Sequence, residues 1–179
     1  MSKSKGGIIG AIVTVVVGSV TYSISRTAIV ENFSRDTGMS KQEAEQYVEN
    51  ITEDDLVDWD ELGSEFITEG EELISSVADI DCVNYYYEWE TDSFSCEEGK
   101  SQLTKLANSS IALGKGYMAL ASESASDNEI SSVIRLIDRY NSNLTLEIVK
   151  QILDYQTIDE IRKTNSYNKS VLQAALDSE

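Results

Sequence analysis

The nineteen residues Gly6–Ile24 (GGIIGAIVTVVVGSVTYSI) carry no charge, in a chain of which 26% is Asp, Glu, Lys or Arg. A helix of that length would run about 28 Å, close to the ~30 Å hydrocarbon core of a bilayer. Lys3 and Lys5 precede the run and Arg26 closes it. The segment therefore reads as a single transmembrane helix. A cleaved secretory signal has the same charged start, but its apolar region is about 7–15 residues long and ends at an Ala-x-Ala-like site. Thr21-x-Ser23 and Ser23-x-Ser25 fit such a site poorly. A buried helix of a soluble protein is the third reading. Lys3 and Lys5 on one side balance Arg26 and Arg35 on the other, and the α-amino group tips the N-terminus towards the cytoplasm. Residues 26–179 are then expected outside it. The implied organisation is a tip and anchor over 1–25, a linker over 26–39 and an acidic helical domain over 40–179.

Within the run, Gly6, Gly10, Thr14 and Gly18 recur every fourth residue. On a helix they would form one small-residue face along which a second backbone could pack. Lys5-Gly6 followed by a long apolar stretch resembles the type IV prepilin signal. The resemblance implies cleavage after the glycine and assembly into filaments through the apolar helix. Ala11 stands where most bacterial members of that family carry Glu.

The remainder is patterned for helices. Capping boxes, in which a Ser or Thr is followed three residues on by an acid or amide, recur at Ser40, Thr52, Ser95, Ser126 and Thr157. Leu56, Trp59, Leu62, Phe66, Leu73, Ile74 and Val77 keep helical spacing, and Gly63 and Gly70 weaken that helix without breaking its pattern. A long helix follows from Ser95 with Leu103, Leu106, Leu113 and Tyr117 on one face. Another carries Ile130, Val133 and Ile137, and a short one is expected near Leu144–Leu153. The polar run Arg162–Ser170 is expected to kink or interrupt the last helix. Strand-like alternation is nearly absent, so the fold expected is an all-α bundle of four to six helices behind the anchor.

One segment departs from this pattern. Cys82 and Cys96, fourteen positions apart, enclose VNYYYEWETDSFS, in which Tyr85, Tyr87 and Trp89 alternate with Tyr86, Glu88 and Glu90. A disulfide-closed loop or short hairpin is expected if the domain lies outside the cytoplasm, and two buried thiols if it lies inside. Closing such a loop stabilises by roughly 3 kcal/mol on the chain-entropy model. Aromatic side chains with a polar edge suit recognition surfaces, so Tyr85, Tyr86, Tyr87 and Trp89 are candidate partner contacts.

The chain has a net charge of -18, and the charge is uneven: residues 31–98 hold 22 acids against Arg35 and Lys41, whereas 99–179 hold 10 acids and 9 bases. Phosphate neutralisation needs a basic face, so nucleic-acid binding is excluded. The acids Asp54, Asp55, Asp58, Asp60 and Glu61 are candidates for meeting a basic protein partner. With no His in the chain, His-ligated zinc and Ser-His-Asp triads are excluded. Asp58, Asp60, Gly63 and Glu69 fit a partial EF-hand loop, but Leu62 offers no side-chain oxygen at its fifth position and the same residues suit a helix better. Gly99-Lys100-Ser101 lacks the rest of a phosphate-binding loop. Five asparagines (Asn32, Asn50, Asn108, Asn143, Asn168) have Ser or Thr two positions on, which hints at glycosylation of a translocated domain.

No metal or cofactor is expected, and nothing here specifies a chemistry. The expectation is a non-enzymatic, membrane-anchored, extracytoplasmic helical protein that binds or scaffolds a protein partner. The alternatives are an assembly subunit that oligomerises through Gly6, Gly10, Thr14 and Gly18, and a small hydrolase working through an acid pair.

Overall fold

The computed structural model describes residues 12–51, 57–90 and 94–178. Among them the chain is mostly helical, with seven helices and one disulfide. The charge-free run does not form the expected helix where it is described. Ile12–Val17 is strand β1 and Val20–Ser25 is strand β2, paired antiparallel with Val17 opposite Val20 and Ile12 opposite Ser25. No helix among the described residues is long and apolar enough to cross a membrane. The reason is local. Ile, Val, Thr and Tyr prefer the pleated backbone. Gly18 takes φ +60° while Ser19 does not, which is the pattern of a two-residue type II′ hairpin turn. A side chain at Gly18 would also strike the Ser122 carbonyl at 2.6 Å. Of the proposed small-residue face, Gly6 and Gly10 lie outside the described residues. Thr14 sits exposed on β1 and Gly18 heads the turn, so these two share no helix face.

The hairpin buries one face and leaves the other wet. Val15, Val17, Tyr22 and Ile24 are buried, while Thr14, Val16, Thr21 and Ser23 are exposed. It is tied to the bundle by hydrogen bonds at its tip and along its length. The Gly18 amide donates to the Leu120 carbonyl at 2.7 Å, and the Trp59 indole N–H donates to the Val16 carbonyl at 2.8 Å. At 3.4 Å, the Tyr22 hydroxyl donates to Asp127 Oδ1.

Arg26–Thr37, expected within a linker, is helix α1, with Ile29, Val30 and Phe33 buried. It packs on α7 (Tyr155–Leu176), and Lys169 of α7 bridges Asp36 and Asp138 at 2.6 Å each. Helix α2 (Lys41–Asn50) opens with the capping box at Ser40. The Thr52 box lies outside the described residues, and α3 (Trp59–Ala78) is capped instead by Asp58. Helices α4 (Cys96–Ala121) and α5 (Asp127–Asn143) start at Ser95 and Ser126 as expected. The short α6 spans Glu147–Ile152, and α7 begins one turn's cap earlier than Thr157, at Asp154.

Helix α3 packs against α4 with glycines at the seam. A Cβ on Gly63 would come within 2.6 Å of the Gly114 carbonyl, and one on Gly70 within 2.8 Å of the Ala107 carbonyl. Ser110 Oγ donates to the Phe66 carbonyl at 2.8 Å across the same seam. The polar run Arg162–Ser170 does not interrupt α7. Its Asn165, Ser166, Asn168 and Ser170 are buried, with Asn165 donating to the Asn141 side chain at 2.9 Å.

Candidate functional site

Cys82 and Cys96 are joined by a disulfide, which closes the connection between α3 and α4. Cys96 is the first residue of α4, so the bond staples the loop to a helix that is itself buried along one side. Residues 82–90 make turns rather than the strand of the expected hairpin. Asp81 organises the first turn. Its carboxylate accepts from the amides of Val83 and Asn84 at 3.0 and 3.2 Å and from the Asn84 side chain at 2.7 Å. The Asn84 side chain first, and then the two amides, holds the Asp81 carboxyl below the usual carboxylate range. The Asp81 amide donates in turn to the Tyr87 hydroxyl at 3.0 Å. Glu90 closes the second turn by accepting from the Tyr87 amide at 3.0 Å, while the Tyr86 hydroxyl donates to the Glu90 carbonyl at 2.7 Å.

This scaffold sorts the aromatic run. Tyr87 and Trp89 stack at 5.2 Å and tuck inward, with Trp89 lying on Gly99 and edge-on to the buried Phe94. Tyr85 and Tyr86 stand 67% and 78% exposed, and Val83 beside them is 89% exposed. Partner contacts expected at all four aromatics are thus open to Tyr85 and Tyr86, while Tyr87 and Trp89 serve as the floor. Val83 has no signal in the sequence beyond its place between Cys82 and the aromatics. Asp81-x-x-Asn84 does have one, the local side-chain-to-backbone turn that Asp and Asn favour.

The candidate acids do not join this surface. Asp54 and Asp55 lie outside the described residues. Asp58 is spent as the cap of α3, accepting from the Asp60 and Glu61 amides at 3.1 and 3.0 Å. Asp60 and Glu61 occupy the first turn of a 20-residue helix whose far end leads into the loop. Such a helix spans about 30 Å, so the two candidate groups sit at opposite ends of α3. The exposed acids on the loop and at the helix ends it joins are instead Asp79, Glu88, Glu97 and Glu98. Along α3 an open groove of about 740 Å³ runs over Asp60, Glu61, Ser64, Glu65 and Glu69.

The EF-hand spacing forms no loop, because Asp60–Glu69 is continuous helix. Among the described residues no three His, Cys, Asp or Glu side chains converge as metal ligands would. Of the five glycosylation-type asparagines, Asn32 and Asn168 are buried within helices and could not carry a glycan in this fold. No protein-family model matches the chain, and no curated protein or solved structure is detectably similar to it.

Proposed function

We propose that this chain is a non-enzymatic binding protein that captures a basic protein partner on its disulfide-closed loop, in an oxidising compartment outside the cytoplasm. The observation that carries the reading is the outward display of Val83, Tyr85 and Tyr86 on a loop fixed by a disulfide and by the Asp81 and Glu90 turns. Exposed apolar and aromatic side chains held in place bind at low conformational cost. Asp79, Glu88, Glu97 and Glu98, exposed on the loop and on the helix ends it joins, favour a cationic partner, and aromatic faces add cation–π attraction to Lys or Arg. The disulfide supports the compartment, since such bonds persist where thiols are not kept reduced.

The test is titration of the full chain with a nonaarginine peptide, followed by chemical-shift changes in the loop. Changes should centre on Val83, Tyr85 and Tyr86, and affinity should fall by about tenfold or more between low and physiological salt. The double substitution Tyr85→Ala, Tyr86→Ala should weaken binding by about fivefold or more, the cost of losing about 1 kcal/mol. Binding that ignores these two substitutions and maps elsewhere would overturn the reading.

A further inference from the structure

On the side of β1 that faces away from β2, some backbone groups make no hydrogen bond among the described residues. The Val16 carbonyl points away from β2, because it receives the Trp59 indole N–H at 2.8 Å. Outward-pointing groups recur every second residue, so those of Thr14 and Ile12 point the same way. Among the described residues no bond is made to them, and Thr14 is exposed. Natural sheets protect such an edge with Lys, Pro, a bulge or a covering element. Here the edge strand reads IVTVVV and has none of the residue-level devices. Its partner strand β2 lies against α7 and α1, and among the described residues no strand pairs with the other edge of β1.

At its Val16 end this edge meets the start of α3. Trp59 stops it at Val16, and Asp60 and Glu61 follow in the first turn of α3, where neither carboxylate has a salt-bridge partner among the described residues. A segment laid antiparallel on β1 would bring its own N-terminus to that end. We infer that β1 is a strand-addition site for an extended, β-branched peptide segment carrying basic residues at its N-terminal end. Main-chain hydrogen bonds to Thr14 and Ile12 supply the pairing, and the acids of α3 set its direction. This surface lies at the opposite end of α3 from the disulfide-closed loop, so the two proposals stand or fall separately.

The probe is the peptide Lys-Lys-Val-Thr-Val-Thr-Val-Thr with a fluorophore at its C-terminus, titrated into the full chain by anisotropy. It should bind about tenfold more tightly than Thr-Val-Thr-Val-Thr-Val-Lys-Lys and than its Glu-Glu counterpart, a difference of about 1.4 kcal/mol. N-methylation of alternate amides in the peptide leaves the protein untouched. One of the two possible sets should abolish binding and the other should change it less than about twofold, because only one set faces β1. The Thr14 amide should exchange with solvent about tenfold more slowly in the complex. Asp60→Asn with Glu61→Gln, which spares the Asp58 cap, should reduce affinity about threefold or more without lowering the melting temperature. Equal binding of all cationic peptides regardless of N-methylation would overturn the inference, as would no binding at all. A salt-strengthened dimer that excludes the peptide would overturn it too, and would assign the edge to a second copy of the chain.

Discussion

At the scale of single residues, Tyr117 shows how far a position can be read from spacing and where that reading ends. It falls on the apolar stripe of α4, as its helical period requires, and it is fully buried. Its ring stacks on Trp59 at 5.6 Å and meets Phe66 at 5.7 Å. The hydroxyl, however, makes no well-formed hydrogen bond among the described residues, the Asn168 side chain being the polar group set against it, and burial pushes the phenol well above its ordinary value. A buried donor left unmade costs about 1–3 kcal/mol, whereas removing it leaves the ring contacts whole. Tyr117→Phe should therefore leave stability unchanged or raise it by up to about 1 kcal/mol in urea denaturation. A loss larger than that would mean that the hydroxyl is bonded in solution. The helix caps behave differently. Ser40, Ser95 and Ser126 were legible because donor and acceptor lie three residues apart. The Trp59–Val16 bond spans 43 positions, and nothing local announces it.

At the scale of elements, the charge-free run and the glycines were the two places where pattern misled. A window that averages hydropathy cannot separate an apolar helix from an apolar hairpin. The distinguishing signs were finer: Thr21 and Ser23 alternating with Tyr22 and Ile24, and a glycine followed by serine between two β-branched runs. Gly63 and Gly70 looked like defects in α3, yet their seven-residue spacing puts both on the seam where α3 meets α4. A helix shows its neighbour a small side chain only when that neighbour comes unusually near, and the partner, Gly114, lies 51 positions on. Gly63→Ala should raise the helix propensity of α3 by about 0.5–1 kcal/mol. The new Cβ would nevertheless sit 2.6 Å from the Gly114 carbonyl, a backbone atom that cannot swing away. Overpacking of this kind costs about 1–3 kcal/mol, so the net change should be destabilising. Thermal melts of Gly63→Ala beside Gly38→Ala, which has open space around it but a φ of +73°, separate the clash from backbone strain. An unchanged melting temperature for Gly63→Ala would mean that the helices stand farther apart.

At the scale of the whole molecule, the fold leaves its excess negative charge largely uncompensated. The 22 acids of residues 31–98 meet only two basic residues of their own segment. Helix α3 shares its principal interface with α4, so its outer face of Asp60, Glu61, Glu65, Glu69 and Glu72 stays in solvent. The imbalance was plain in the sequence, but its sorting was not. Sequence alone grouped the acids of α3 with the tyrosines, and only the helix between them shows two separate surfaces. Glu69 reports the strain of this arrangement. Partial desolvation first, and then the neighbouring Glu65 and Glu72, raise its carboxyl above the ordinary value. A carboxyl raised in the folded state takes up a proton on folding, so its ionisation opposes folding. Its contribution is most favourable below the unfolded-state value of 4.5 and is lost as pH rises through the folded value. Glu69→Gln removes that charge without removing bulk. It should raise the melting temperature at pH 7, and the gain should shrink as the pH falls towards 4, where the wild-type side chain is largely protonated. Salt should mimic the substitution at pH 7 by screening the same repulsion, so the gain should also shrink in high salt. A gain that persists unchanged at low pH and in high salt would show that the effect of Gln there is packing rather than relief of charge.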